Sequence, residues 1–389
     1  MQMGTAIAGR CYSPRCVLLV ADGLPNRFRQ HDGMDCDISS ATSAILMASR
    51  KGAESGGMSI LMTALAGERP DRLPIWFMRQ AGRSLPEYRA ARRGVGMLDA
   101  CLTPELAAEI TLQPVRRHGV DAAILFSDIV VPLHLAGVPV EIRPSVGPVF
   151  DRAYSTPGAV SSLVNNEMAD TSAISRAVRI ATAELGDVPL LGFAGAPFTL
   201  AAYLVEGRPS RDHLAARRLM HTEPAAWHDL MSWCARLSRD FLDVQIAAGA
   251  SAVQLFDSWA GSLSRADYER YVAPYSSEVL SALPVPSIHF GTNTAHLLPG
   301  FALGSDAVGI DYRTPLDEAA ALLGGLTVVQ GNIDPALLAA PWGVVEAHVI
   351  DVVSRGRAAP AHIVNLGHGV PPDTDPDVLT RIVDLVHAL

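Results

Sequence analysis

Two arginines, Arg79 and Arg83, stand four residues apart across the Ala81-Gly82 turn, directly after the apolar run 73–78. Arginine stays charged at any working pH and presents a planar fork that matches carboxylate or phosphate oxygens. If the run before it is a buried strand, a buried guanidinium without a partner would be prohibitively costly. Something anionic must therefore meet the pair, either acidic side chains or a ligand carboxylate or phosphate. Gln80 lies between them. Seven further apolar runs end in polar residues. In order, the ends carry Ser127-Asp128, then Ala194-Gly195-Ala196-Pro197 with Tyr203 and Glu206-Gly207 beyond, then Asp257-Ser258. After these come Gly291-Thr292-Asn293, Asp311-Tyr312-Arg313, Gly331-Asn332-Ile333-Asp334 and Gly367-His368-Gly369. Plainer roles remain open for several. Asp128, Asp257 and Asp334 would also serve as helix caps, Gly331 and Gly367 as turn residues, and Tyr203 as a helical core aromatic. His368 is harder to dismiss, because flanking glycines let backbone and ligand approach closely.

The elements that must carry these residues repeat. Short apolar runs at 73–78, 122–126, 189–193, 252–256, 286–290, 307–310, 327–330 and 362–366 alternate with longer amphipathic stretches. Each run is nearly continuous rather than alternating, as in parallel strands covered on both faces. Thr103-Pro104-Glu105 reads as a helix start, Leu230, Cys234, Leu237, Phe241 and Val244 as one helical face, and Ser264, Thr314-Pro315 and Pro376 as further starts. Pro114 predicts a kink or break in the helix begun at Thr103. The helix begun at Ser264 is expected to continue toward Leu283. Eight strand–helix units predict a single (β/α)8 TIM barrel over residues 58–389, with a hairpin strand at 138–144 outside the eight. A doubly wound sheet is the alternative, but no GxGxxG follows any run. Residues 1–57, rich in Ser, Gly, Ala and Asp, read as a disordered extension.

Composition excludes several classes. A net charge of −9 argues against a nucleic-acid binder, and it leaves recognition of an anion to a local arginine cluster. No lysine follows Lys51, so the barrel has no Schiff-base lysine. The five cysteines are scattered, with no CxxC pair, which points to a reducing compartment and away from a Cys/His zinc site. No apolar run reaches the ~20 residues of a membrane helix, and the N-terminus suits neither a signal nor a transit peptide. A cytoplasmic protein with no membrane or nucleic-acid partner is expected.

The strand ends also carry a resemblance. PIWFMRQAGRSLPEYR and GFAGAPFTLAAYLVEG closely resemble the two signature stretches of the uroporphyrinogen decarboxylases, and FSDI, LFDSWAG, GNIDP and NLGHGV follow the same order. It covers roughly residues 58–389, while residues 1–57 have no counterpart. Asp257 and Trp259 occupy positions that are more varied in the family. The resemblance implies a homodimeric barrel that uses no cofactor and no metal. It would convert uroporphyrinogen III into coproporphyrinogen III and four CO2 in porphyrin and haem biosynthesis. It implies that Arg79 and Arg83 face substrate carboxylates with Gln80 nearby, and that Asp128 meets the pyrrole N–H groups at the macrocycle centre. Tyr203, Ser258 and His368 complete the lining, and the proton donor is unresolved between Arg79 and a water-linked group. Two competing readings are a zinc-dependent corrinoid or thiol methyltransferase, disfavoured because no cysteine follows Cys234, and a non-catalytic tetrapyrrole-binding barrel.

Overall fold

In the computed structural model, which describes residues 58–389, seven of the eight apolar runs become parallel strands. In chain order the strands are β1 (Ala123–Ile124), the pair β2 (Val140–Arg143) and β3 (Gly147–Phe150), β4 (Leu190–Gly195) and β5 (Ala252–Asp257). Then follow β6 (Ser287–Gly291), β7 (Ala307–Gly309), β8 (Val328–Ile333) and β9 (His362–Leu366). The main sheet runs β1-β4-β5-β6-β7-β8-β9, every pair parallel. Sequential order with helical crossovers, curling back on itself, is the (β/α)8 arrangement. The antiparallel pair β2–β3 lies outside it, at the segment where an additional hairpin was expected. The proposed extension, residues 1–57, lies outside the described residues.

The first run closes the barrel in an unusual way. Ile75 bridges Val364 on β9, and the Ile75 carbonyl accepts the Asp121 N–H (2.8 Å) just before β1. Yet no regular strand forms there. Pro74 has no N–H, and side chains take over much of the ladder. Asp121 Oδ2 accepts the Ile75 N–H (2.9 Å), Gln80 Oε1 that of Phe77 (2.9 Å) and Asn365 Oδ1 that of Met78 (2.9 Å). Asp121 also accepts from Arg72 (2.8 Å) and His387 (2.8 Å), tying the last helix, Pro376–Ala388, to this closure. A buried polar chain crosses the interior. Trp76 Nε1 donates to Gln330 Oε1 (3.0 Å), and Gln330 Nε2 donates to Gln254 Oε1 (2.9 Å). These residues come from non-adjacent strands, so the lumen is filled by side chains and is not a pore.

At Pro114 the helix does not break, and after Ser264 it does. Helix Pro104–His118 runs through Pro114 without ending. Its buried face, including Ala107, Ala108, Ile110, Leu112 and Pro114 itself, holds the helix despite one missing N–H. Conversely, the stretch after Ser264 splits. Ser264 caps helix Arg265–Tyr271, Val272 leaves the helical region (φ −132°, ψ −51°), and helix Ala273–Leu280 begins afresh with Pro274 in its first turn. Pro274 has no N–H for the Arg270 carbonyl, and its ring would clash with that carbonyl in a continuous helix, which is the local cause. The long helix Pro224–Ala248 buries Leu230, Cys234, Leu237 and Phe241 as their spacing predicts.

One buried histidine makes stability depend on pH. His362 Nε2 donates to the Gly331 carbonyl (2.6 Å), while Nδ1 is buried without a partner. A Cβ on Gly356 would lie 2.1 Å from that Nδ1. Burial lowers the His362 pKa from 6.5 to about 4. The neutral ring's contribution is complete above pH 6.5 and is lost as pH falls toward 4. Linkage puts the loss at about 3 kcal/mol. Thermal melts from pH 7 to pH 4 are expected to show this decline, and a His362→Gln variant a shallower one. Identical slopes would show that His362 is not the responsible group.

Candidate active site

The strand ends meet at the C-terminal rim of the barrel, and the Arg79–Gly82 turn is its most constrained part. Arg79 adopts φ +61°, the left-handed region that costs a non-glycine residue about 1–2 kcal/mol. A Cβ at Gly82 would lie 2.8 Å from the Arg79 carbonyl oxygen, so only glycine closes this turn. Gln80 is fully buried. Its Oε1 accepts from Phe77 and its Nε2 donates to the Ala122 carbonyl (2.9 Å), so its amide braces the turn against β1. The expectation that burial of the arginines forces an anionic partner is corrected. Arg79 and Arg83 are both exposed, and among the described residues neither forms an ion pair. Both guanidiniums are therefore free to meet a ligand.

Three of the sequence-predicted groups lie within electrostatic reach of Arg79. Asp128, half-buried after β1, accepts the Val130 N–H on Oδ1 (3.0 Å). Burial raises its pKa, while the Val130 hydrogen bond and the Arg79 charge oppose the rise. Tyr203, half-buried on helix Pro197–Glu206, has its phenol pKa raised by burial and then by the Asp128 charge, with Arg79 opposing. His368, half-buried after β9, accepts the Gly369 N–H on Nδ1 (2.6 Å), which leaves Nε2 as the protonated nitrogen of a neutral ring. Burial lowers the His368 pKa, and the charges of Arg79 and Arg313 lower it further. A Cβ at Gly369 would lie 2.4 Å from Arg79 Cδ, so the second glycine of GHG lets the arginine stem pass. Ser258, half-buried after β5, accepts the Thr292 hydroxyl on its carbonyl (2.7 Å).

Other residues shape the site without having been read as lining it. Trp259 stacks on Tyr203 (ring centroids 3.7 Å apart) and on His213 (4.4 Å), so the aromatic of LFDSWAG fixes the phenol ring. Gly261 is needed there, since its Cβ would meet the Thr292 carbonyl oxygen at 2.3 Å. Asp257 is fully buried and accepts the Thr199 hydroxyl (2.9 Å), which ties β5 to the helix bearing Tyr203. Asp334 caps the short turn Pro335–Ala339 through the Ala336 N–H (2.9 Å). Among the described residues, no group of three His, Cys, Asp or Glu side chains could hold a metal ion. Two surface clefts, one beside His228 and Arg236 and one beside Arg239 and Glu278, contain no strand-end residue.

A profile of the family described as Uroporphyrinogen decarboxylase (URO-D) matches residues 58–389. A uroporphyrinogen decarboxylase of Arthrobacter sp. is 60% identical over 335 residues, covering 85% of this chain and 97% of the relative. One of Leifsonia xyli is 58% identical over 354 residues, covering 85% and 94%. Among solved structures, a methyltransferase from Methanosarcina mazei superposes with a TM-score of 0.71 at 17% identity, over 85% of this chain and 97% of that one. At that identity the likeness concerns the barrel alone. The sequence matches run through the strand ends that carry Arg79, Asp128, Tyr203, Ser258 and His368, and on them the chain belongs to the uroporphyrinogen decarboxylase family.

Proposed function

We propose that this rim removes the carboxyl groups of the four acetate side chains of uroporphyrinogen III, giving coproporphyrinogen III and four CO2 in porphyrin and haem biosynthesis. The carrying observation is that Arg79, which forms no ion pair among the described residues, shares one rim with Asp128, Tyr203 and His368, its stem passing Gly369 next to His368 and its charge biasing the pKa of all three. Family membership gives the reaction, and the local chemistry gives each group a part in it.

A carboxylate leaves as CO2 only when the electron pair of the broken C–C bond has somewhere to go. Protonating the pyrrole carbon next to the acetate makes the ring cationic and supplies that sink. Loss of CO2 then leaves an exocyclic methylene. A second proton turns it into a methyl group, and the ring carbon returns its own. The net change consumes one proton per acetate. Asp128, in a site partly withdrawn from water, stabilises the cationic ring as charge develops and accepts hydrogen bonds from its pyrrole N–H groups. Arg79 and Arg83 grip peripheral carboxylates, and Gln80 holds their turn. His368 offers Nε2–H as a donor, and the Tyr203 and Ser258 hydroxyls complete the lining. The proton reaches the ring from Arg79 or through a water-linked group.

The same reading takes residues 58–389 as the catalytic domain, the chemistry as free of any cofactor, and the enzyme as a cytoplasmic homodimer. Cys101 and Cys234 are buried free thiols. No described helix is long and apolar enough to cross a membrane. Supplied anaerobically with uroporphyrinogen III, the purified protein is expected to yield coproporphyrinogen III by chromatography. Tight binding with no product would instead make it a non-catalytic tetrapyrrole-binding barrel.

A further inference from the structure

His368 is flanked on both sides. Gly369 lies against the Arg79 stem, and Gly367 lies against the segment after β7, where a Cβ would meet Tyr312 N at 2.1 Å and Tyr312 Cα at 2.6 Å. This close approach sets the residue before Arg313 against the residue before His368, and the Arg313 charge helps to lower the His368 pKa. Arg313 is held in a defined place. Its Nη1 donates to Asp311 Oδ2 (2.7 Å), its backbone N–H donates to Asp311 Oδ1 (3.0 Å), and its guanidinium lies 4.3 Å from the Tyr312 ring centroid. Asp311 is itself buried, and it also accepts the Asn293 N–H. The Arg313 side chain stays 47% exposed, and among the described residues only Nη1 has a hydrogen-bond partner, leaving Nε and Nη2 free.

We infer that Arg313 is a further binding residue for a peripheral carboxylate of the substrate, gripping from the opposite side of His368 to Arg79. The inference rests on the function proposed above. An eight-carboxylate macrocycle has acid groups around its whole edge, and the barrel has no lysine to meet them. Arg79 and Arg83 come from one turn and reach one sector of that edge. A cation from the end of β7 meets another. The buried Asp311 carboxylate, held by two backbone N–H groups, orients the guanidinium before the ligand arrives, which reduces the entropy lost on binding. Asp311 and Arg313 together are close to neutral, so the ligand carboxylate bonds to an oriented fork more than to a bare charge.

The test titrates wild type, Arg313→Gln and Arg313→Lys with uroporphyrin III, a stable octacarboxylate, following porphyrin fluorescence, with melting temperatures measured in parallel. Arg313→Gln is expected to weaken binding roughly tenfold, the scale of one charge-assisted contact. It should raise KM more than it lowers kcat, and Arg313→Lys should recover part of the affinity. Unchanged affinity in Arg313→Gln, with only a lower melting temperature, would overturn the proposal and reduce Arg313 to the counter-ion of Asp311. Failure of wild type to release product would count against the decarboxylase reading, whereas the comparison of variants concerns Arg313 alone.

Discussion

Asp128→Asn is expected to lower kcat by about 10²–10³-fold or more, the scale seen when one preorganised electrostatic group is removed from a site. Asparagine keeps the shape and can still accept the Val130 N–H (3.0 Å in the native protein), so the fold should persist. Stability should move the other way from activity. Burial raises the Asp128 pKa, so the folded protein carries a penalty for the ionised carboxylate. That penalty is absent below the ordinary aspartate range and grows as pH rises through the folded-state pKa. At neutral pH the uncharged variant should therefore melt above wild type. The acidic limb of the wild-type pH–rate profile should sit above the ordinary aspartate range, since the role proposed for Asp128 needs the ionised form. Steady-state kinetics and paired melts check both parts. Near-normal turnover in Asp128→Asn would end the ring-cation argument.

Arg79→Gly is the second large effect. Relief of the left-handed backbone (φ +61°) is worth about 1–2 kcal/mol, against roughly 0.5–1 kcal/mol for the added chain entropy of glycine. The variant should thus fold at least as stably as the parent. Its kcat/KM should fall about 10²–10³-fold, because the cation proposed to meet the substrate carboxylate is lost. A stable but inactive Arg79→Gly would identify the backbone strain as retained for function. Gly369→Ala offers a control that changes no charge. Its new methyl would meet Arg79 Cδ at 2.4 Å and Cγ at 2.8 Å and push the stem aside. Turnover should fall in the same direction, by less. Full activity in Gly369→Ala would mean that the position of the Arg79 stem is not critical.

The barrel was legible because parallel strands buried on both faces need near-continuous apolar runs, and the polar ends of those runs mark the rim. β4 to β9 fall within a residue or a few of their predicted runs. The first run was read as a strand, but Pro74 and three accepting side chains leave only the bridge at Ile75. The helix does not break at Pro114, where packing of a long buried face outweighs one lost hydrogen bond, and local rules missed the break at Val272.

By itself the sequence determined the kind of chemistry. A lysine-free barrel with RQAGR after its first run and GHG after its last has to meet anions with arginine, whatever the side chains do locally. Only the tertiary structure decided which groups are free to act. It consumed the Gln80 amide in bracing the turn and buried Asp257 beneath the helix that bears Tyr203. Among the described residues it left Arg79 and Arg83 without ion pairs, and it set Gly367 against Tyr312, so that the Arg313 charge bears on His368. The reason is physical. A residue's type sets the bonds it can make, but whether those bonds are already satisfied depends on neighbours from distant strands.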